Sequence, residues 1–204
     1  MISQNHVDAL DIFLETTLAE ITKLNGILNY NFYKKAVDII LNVEQNNGRI
    51  HITGIGKPGH VASYIASLMS STGTSTYELH GTEAVHGSSG QVKPGDIVIA
   101  ISNSGETAEL KKTIETLKNN GAKIIGVSGN LVSWLAKNCD VFLYAGVSKE
   151  GGPLNRAPRT SIIAEIIVLQ GLSVILQSIK KITPQQYINW HPSGTLGCQD
   201  NNEI

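Results

Sequence analysis

Ser102, Asn103, Ser104, Gly105, Glu106 and Thr107 place three hydroxyls, an amide, a carboxylate and a glycine within six consecutive residues. Before them, Asp96 to Ile101 is a short, nearly continuous apolar run, the pattern of a strand buried on both faces of a parallel sheet. After them, Glu106 to Asn120 carries Ala108, Leu110, Ile114 and Leu117 at the spacing of an amphipathic helix. The turn thus joins a buried strand to a helix. Unpaired N–H groups and partial positive charge at a helix N-terminus favour anions, so hydroxyls converging there suit a dianion such as phosphate. Gly105 lets the backbone approach that anion closely. A single hydroxyl here would read as a helix cap; three of them with Asn103 around one glycine favour an anion site.

A second turn has related chemistry. Arg49 to Thr53 is a strand candidate that runs into Gly54-Ile55-Gly56-Lys57-Pro58-Gly59-His60. Formally this is G-x-G-x-x-G after a strand, and Glu78 lies near the end of the next strand, about where a dinucleotide fold keeps its ribose-binding acid. Lys57 inside the turn, the second anion loop at Ser102 to Thr107 and the lack of a substrate domain beyond the sheet argue against a dinucleotide. The two turns are expected to converge on one small phosphorylated ligand, with Lys57 adding charge and Gly56 leaving room for it. His80 and His86 follow in the next loop without a further ligand at familiar spacing, so no metal is expected and His86 reads as a polar site group.

These turns need elements to hold them. The 204 residues, 41% hydrophobic with a net charge of −1, suffice for one well-buried α/β domain. Near-neutral charge without a basic stripe gives no footprint for nucleic acid. Two cysteines, no basic-then-apolar leader and no uninterrupted apolar run of membrane-spanning length suggest a cytoplasmic protein. His6 to Leu24 sets Val7, Leu10, Phe13, Leu14, Leu18 and Ile21 on one helical face, and a second helix starts from Asn31, a plausible cap, and ends at Asn46-Asn47-Gly48. Helix 60–72, strand 75–79, the strand and helix around Ser102, a strand near Ile124 to Val127, a short helix with Trp134 and Leu135, and a strand at Asp140 to Tyr144 follow. Such alternation predicts a parallel sheet with helices on both faces and ligands at the carboxyl ends of its strands, where the order reverses.

Several stretches in register resemble the sugar isomerase (SIS) domains. They are Gly54 to His60, Glu83-Ala84-Val85-His86-Gly87, Ile101 to Thr107, Glu150 followed by Gly152-Pro153-Leu154 and Ala157-Pro158, and His191-Pro192-Ser193-Gly194-Thr195-Leu196-Gly197. Within that family they look like the arabinose-5-phosphate isomerases, over about Asn31 to Gly197. The resemblance implies a five-stranded parallel sheet in a three-layer α/β/α sandwich of flavodoxin-like type, an oligomer, and interconversion of an aldose phosphate and a ketose phosphate. It sets Lys57, Glu106, Glu150 and His191 on active-site positions, His86 on a site histidine supplied across a subunit contact, and Ser102, Asn103, Ser104 and Thr107 on the phosphate loop, with Gly56 beside them. It also implies one SIS domain over residues 1–204: amino-terminal helices at 1–47, an α/β core at 48–182, and a last helix with the His-Pro motif at 183–204. Family members commonly carry a paired module of the cystathionine-β-synthase type after that motif; the sequence ends seven residues beyond Gly197, so regulation through such a module is not expected.

The chemistry implied needs these residue types whatever the sugar. The ring must open, a proton next to a carbonyl must leave, and it must return to the neighbouring carbon through an enediol. Carboxylates or an imidazole tuned toward neutral pH carry such transfers, and a lysine stabilises the developing oxyanion; no cofactor is needed. Spacing does not say which of Glu106 and Glu150 is the carbon base. Arg156 to Ile163 has arginines and isoleucines where the family prefers small hydroxyl residues, so another pentose or hexose phosphate, or a non-catalytic sugar-phosphate sensor, are the alternatives. Ser161 to Leu176 is apolar almost all round, which predicts a helix covered on more than one side. A homodimer or homotetramer that buries this helix between subunits is the expectation.

Overall fold

The protein is described by a computed structural model over residues 4–193. The apolar runs seen in the sequence form five strands: β1 (Ile50–Gly54), β2 (Thr76–Glu78), β3 (Ile97–Ile101), β4 (Lys123–Ser128) and β5 (Val141–Tyr144). All pair in parallel, in the order β2-β1-β3-β4-β5. Every residue of β1 and β3 is buried, as strands covered on both faces must be. Their side chains alternate between two cores. Ile50, Ile52, Ile97, Ile99, Ile101, Ile125 and Val127 pack with α2 (Tyr30–Gln45), α3 (Lys57–Ser71) and α6 (Thr160–Lys180). Val98, Ala100 and Ile124 pack on the other face with Leu110, Ile114 and Leu117 of α4 (Ala108–Asn119) and Leu135 of α5 (Trp134–Asn138). The three-layer α/β/α sandwich expected from the sequence is therefore present.

Helix starts differ from the sequence reading where side chains outside the helix decide them. Asn29, not Asn31, caps α2, its side-chain oxygen accepting from Phe32 N at 3.2 Å. α3 begins at Lys57 instead of residue 60, because Gly56 with φ +67 turns the chain sharply and Pro58 suits a first turn. α4 begins at Ala108, not Glu106, since the Ser102 loop holds residues 102–107 out of the helix.

The first helix, α1 (Gln4–Asn25), turns Phe13 and Ile21 of the expected face inward but not its other members. Leu10, Leu14 and Leu18 are 56%, 48% and 70% exposed, and Val7 is exposed too, while Phe13, Thr17, Glu20, Ile21 and Leu24 turn inward against α6 and the loop before it. Both stripes have helical spacing, so periodicity could not choose between them. α6 is covered on one side within the chain, while Val174 and Ile179 stay exposed. It is long and apolar enough to cross a membrane by length and composition, but α1, α2 and α3 of the same chain pack against it and bury Ala164, Val168, Leu169, Leu172 and Leu176. A last helix, α7 (Pro184–Trp190), starts in a reciprocal capping box between Thr183 and Gln186.

Candidate active site

The chain goes from β1 outward to β2 and then returns to the other side of β1 for β3, so the strand order reverses between β1 and β3. Gly54 and Ile101, the last residues of these two strands, are register partners. The turn carrying Gly56 and Lys57 and the turn carrying Ser102 to Thr107 therefore leave the sheet side by side, at its carboxyl edge. A ligand is expected at such a reversal.

The Ser102 loop is built as an anion turn. Ser102 is buried, its Oγ accepts from Gly105 N at 3.1 Å and lies 3.2 Å from Thr107 Oγ1. Ser104 Oγ accepts from Glu106 N at 3.2 Å. Thr107 stands at the N-cap position of α4, yet its side chain makes no capping bond, so its hydroxyl is committed to Ser102 instead of the helix. Gly105 has φ +66, and a Cβ there would overlap Ser133 Oγ. Asn103 anchors the turn to the neighbouring strand end: its carbonyl accepts from Gly129 N and Ser128 Oγ, both at 3.0 Å, and its side chain lies over Gly129.

Lys57 and Glu150 approach the N-terminus of α6 by separate contacts. Lys57 lines a groove of about 280 Å³ with His60, Val61 and Tyr64 of α3 and with Pro158, Ile162 and Ile166 on the other wall. One residue before Ile162, Ser161 N donates to Glu150 Oε2 at 3.1 Å, and Arg159 N donates to the same oxygen at 2.7 Å. Glu150 thus caps a 21-residue helix from a loop outside it, where the helix has no side-chain cap of its own. That loop is pinned: Glu150 N and Gly151 N both donate to Asn155 Oδ1, and Thr160 Oγ1 donates to Glu150 O at 3.2 Å.

α1 buttresses the same loop through Phe13 of the expected face and through Thr17 and Glu20, which the sequence reading did not single out. Glu20, buried, accepts from Ser148 N and Ser148 Oγ, both at 2.6 Å, and from Lys23 Nζ at 2.9 Å. Burial pushes the Glu20 carboxyl up, but the Ser148 and Lys23 bonds outweigh it and hold the carboxyl at about 2. Phe13 packs on Gly151, and Thr17 Oγ1 lies 3.1 Å from Thr160 Oγ1. The signal available in the sequence was an acid lying on the Phe13, Thr17, Ile21, Leu24 stripe.

Glu106, His86 and His191 are placed differently. Glu106 turns away along the sheet edge, accepting from Lys111 Nζ and, at 2.7 Å, from Trp134 N at the start of α5. Bonding to Lys111 and then to the Trp134 amide holds its carboxyl below the usual carboxylate range. His86 is exposed at the end of a 3-10 turn, Glu83–His86. His191 caps the far end of α7, with Nδ1 2.8 Å from Tyr187 O and its ring stacked on Tyr187 at 4.1 Å between centroids. The adjacent Trp190 packs against Gly73, just before β2 begins, and that is the amino edge of the sheet. Within one chain His191 is therefore on the side of the sheet opposite to Ser102 and Glu150. The remainder of its motif, Gly194 to Gly197, lies outside the described residues.

Known proteins share this sequence and fold. Residues 44–174 match the SIS domain. The arabinose 5-phosphate isomerase KpsF of Escherichia coli O6:H1 is 36% identical over 185 residues, which is 89% of this chain and 56% of that protein. The arabinose 5-phosphate isomerase KdsD of Francisella tularensis is 36% identical over 193 residues, 95% of this chain and 58% of that protein. The chain thus spans little more than half the length of these curated relatives. A solved structure from E. coli CFT073, in complex with arabinose 5-phosphate, superposes with a TM-score of 0.85 at 31% identity, covering 94% of this chain and all of that one. With nearly two thirds of its length matched in sequence and its sheet order and site turns in place, this chain belongs to the SIS domain family.

Proposed function

We propose that the chain is a phosphosugar isomerase that interconverts D-arabinose 5-phosphate and D-ribulose 5-phosphate by acid–base chemistry through an enediol. The carrying observation is the register of Gly54 with Ile101, which sends a lysine-bearing turn and a hydroxyl-rich turn out of the strand reversal side by side. The names of the two relatives and the arabinose 5-phosphate held by the similar structure support the choice of sugar.

In this reading the backbone at Gly56 and the side chains of Ser102, Asn103, Ser104 and Thr107 hold the phosphate, with His86 completing the polar rim. Lys57 stabilises the developing oxyanion. Glu150 is the carbon base: both of its amide bonds fall on Oε2, one of them from Ser161, the neighbour of Ile162 in the groove that Lys57 lines. Glu106, held low by Lys111 and Trp134 N, serves as the fixed charge of the site. His191 supplies the imidazole for ring opening. Since it stands at the opposite sheet edge of its own chain, it serves a second copy.

That requirement fits the exposed stripe of Val7, Leu10, Leu14 and Leu18, which gives a homodimer or homotetramer an apolar contact. The same reading takes residues 1–204 as one SIS domain acting in the cytoplasm, with His86 reaching a partner's site.

The test is NMR of phosphorylated aldoses and ketoses in deuterated water. Ketose product with carbon-bound deuterium is expected from D-arabinose 5-phosphate. Binding without turnover would favour a sugar-phosphate sensor, and neither binding nor turnover would overturn the assignment. Glu150→Gln should lower the rate by roughly two to four orders of magnitude, the range of a general acid or base. A folded variant with near-normal rate would remove Glu150 from the chemistry.

A further inference from the structure

One ionisable group of the core has no part in the mechanism above. Glu165, in the second turn of α6, is 0% exposed, and neither carboxyl oxygen has a hydrogen-bond partner. One turn earlier on the same face, Ser161 Oγ is also buried and unpartnered, and the Ser161 amide is one of the two that donate to Glu150. The rest of this face is apolar: Ala164, Val168 and Leu169. Among the described residues no cation pairs with this carboxyl and no amide donates to it, and in such a place a carboxyl keeps its proton.

We propose that Glu165 is a positioning residue for Glu150: it lies in the core as a neutral carboxylic acid, so that the α6 N-terminus serves the negative charge of Glu150 alone.

Two facts support this pairing. Burial first, and then the charge of Glu150, push the Glu165 carboxyl up to about 8. The ionisable groups at this end of α6 include Arg159 at its N-cap, Glu150 from the preceding loop, Glu20 of α1 through Ser148, Tyr33 of α2, and Lys57, His60 and Tyr64 of α3. Glu150 is the one whose charge acts on Glu165. The coupling is reciprocal, because each carboxylate charge opposes the other. When Glu165 ionises, a second negative charge enters the first two turns of α6, competes for the same helix end and repels an anionic enediolate above it. The consequence for turnover rests on the isomerase reading; the coupling of the two carboxyls does not.

The test is built to separate the two. In the full chain labelled with carboxyl-13C glutamate, Glu165→Gln identifies the Glu165 resonance by its loss. That resonance is expected to titrate well above the other glutamates, and Glu150→Gln should move its midpoint down. A midpoint in the ordinary carboxylate range, or one indifferent to Glu150→Gln, overturns the proposal without reference to any activity. If Glu165→Gln does not fold, assignment through the backbone gives the same titration in the wild-type chain. Turnover of D-arabinose 5-phosphate then tests the functional half. One pH unit above the midpoint about nine tenths of Glu165 is ionised, so kcat should fall to roughly a tenth of its plateau. Glu165→Gln, the neutral isostere of the acid, should lose that alkaline limb; a limb that persists in Glu165→Gln overturns the positioning role. No turnover of any phosphosugar by the wild-type chain would instead refute the isomerase reading and leave the NMR result to decide the pairing.

Discussion

Replacing Glu165 by Gln should make the protein more stable, and more so the higher the pH. In the unfolded chain a glutamate loses its proton near 4.5, whereas in the fold Glu165 keeps it to about 8. Between these values the native state binds more protons than the unfolded state, so the free energy of unfolding falls as pH rises. Full stability is present below about 4.5 and the loss is complete once the pH passes about 8. Each pH unit of this window is worth about 1.4 kcal/mol, so the wild type is handicapped by ~3 kcal/mol at pH 7 and by ~5 kcal/mol above pH 8. Gln fills the same volume with a neutral group. Its buried amide carries a desolvation cost of about 1–3 kcal/mol, comparable to that of the neutral acid and independent of pH. The diagnostic quantity is therefore a slope. Urea unfolding of both proteins at pH 5, 7 and 9, at one protein concentration, should give a stability difference that grows by about 1.4 kcal/mol per unit up to pH 8 and then levels off. A difference that stays flat across this range would mean that Glu165 ionises in the folded protein as it does in the unfolded chain, and the reasoning about its burial would fail.

Three further outcomes follow from the geometry. Gly105→Ala places a methyl on Ser133 Oγ at a backbone φ of +66, so the folded variant should lose about 1–3 kcal/mol of stability and bind phosphosugar more weakly by calorimetry; unchanged affinity would take the loop out of phosphate binding. Glu20→Gln removes a carboxylate held at about 2 by Ser148 and Lys23, so it should cost about 1–3 kcal/mol at neutral pH. Because that carboxyl is depressed, the cost is present above about 4.5 and should vanish as the pH falls through 2, which acid unfolding of both proteins measures. Leu14→Lys with Leu18→Lys charges the exposed stripe of α1 and should lower the mass seen by light scattering at micromolar concentration; an unchanged assembly would move the subunit contact elsewhere.

What was legible in the sequence was what one segment decides by itself. Ile97 to Ile101 needs cover on both faces wherever it lies, and that alone marks a central parallel strand. Ser102 to Thr107 likewise declares a strand-to-helix turn with more hydroxyls than a cap requires. The misreadings concern contacts between segments. α1 offers two apolar stripes of equal periodicity, and the choice fell to the one that carries Glu20, because Ser148 supplies its donors from 128 residues away. An all-round apolar α6 needed cover, and helices of the same chain supply part of it, with Val174 and Ile179 left exposed. Glu150 was singled out by resemblance alone, and its tie to Arg159 N and Ser161 N exists only once the loop folds back on the helix.

The length of α6 sets where His191 can act. The N-terminus of α6 is at the carboxyl edge of the sheet, where Glu150 caps it, and its other end is fixed at the amino edge, where Lys180 Nζ donates to Gly73 O at 2.9 Å and to Thr74 Oγ1 at 2.6 Å. Twenty-one residues of helix span about 30 Å. α7 starts within four residues of that far end and its Trp190 packs back on Gly73, so His191 is fixed about a helix length from Glu150 of its own chain. Diffusion of a side chain cannot close such a distance, and moving α7 would break the Trp190 contact. If carboxylate and imidazole act on one sugar, two copies must therefore meet with the amino edge of one beside the carboxyl edge of the other, and each copy then gives its histidine to a site it does not itself contain.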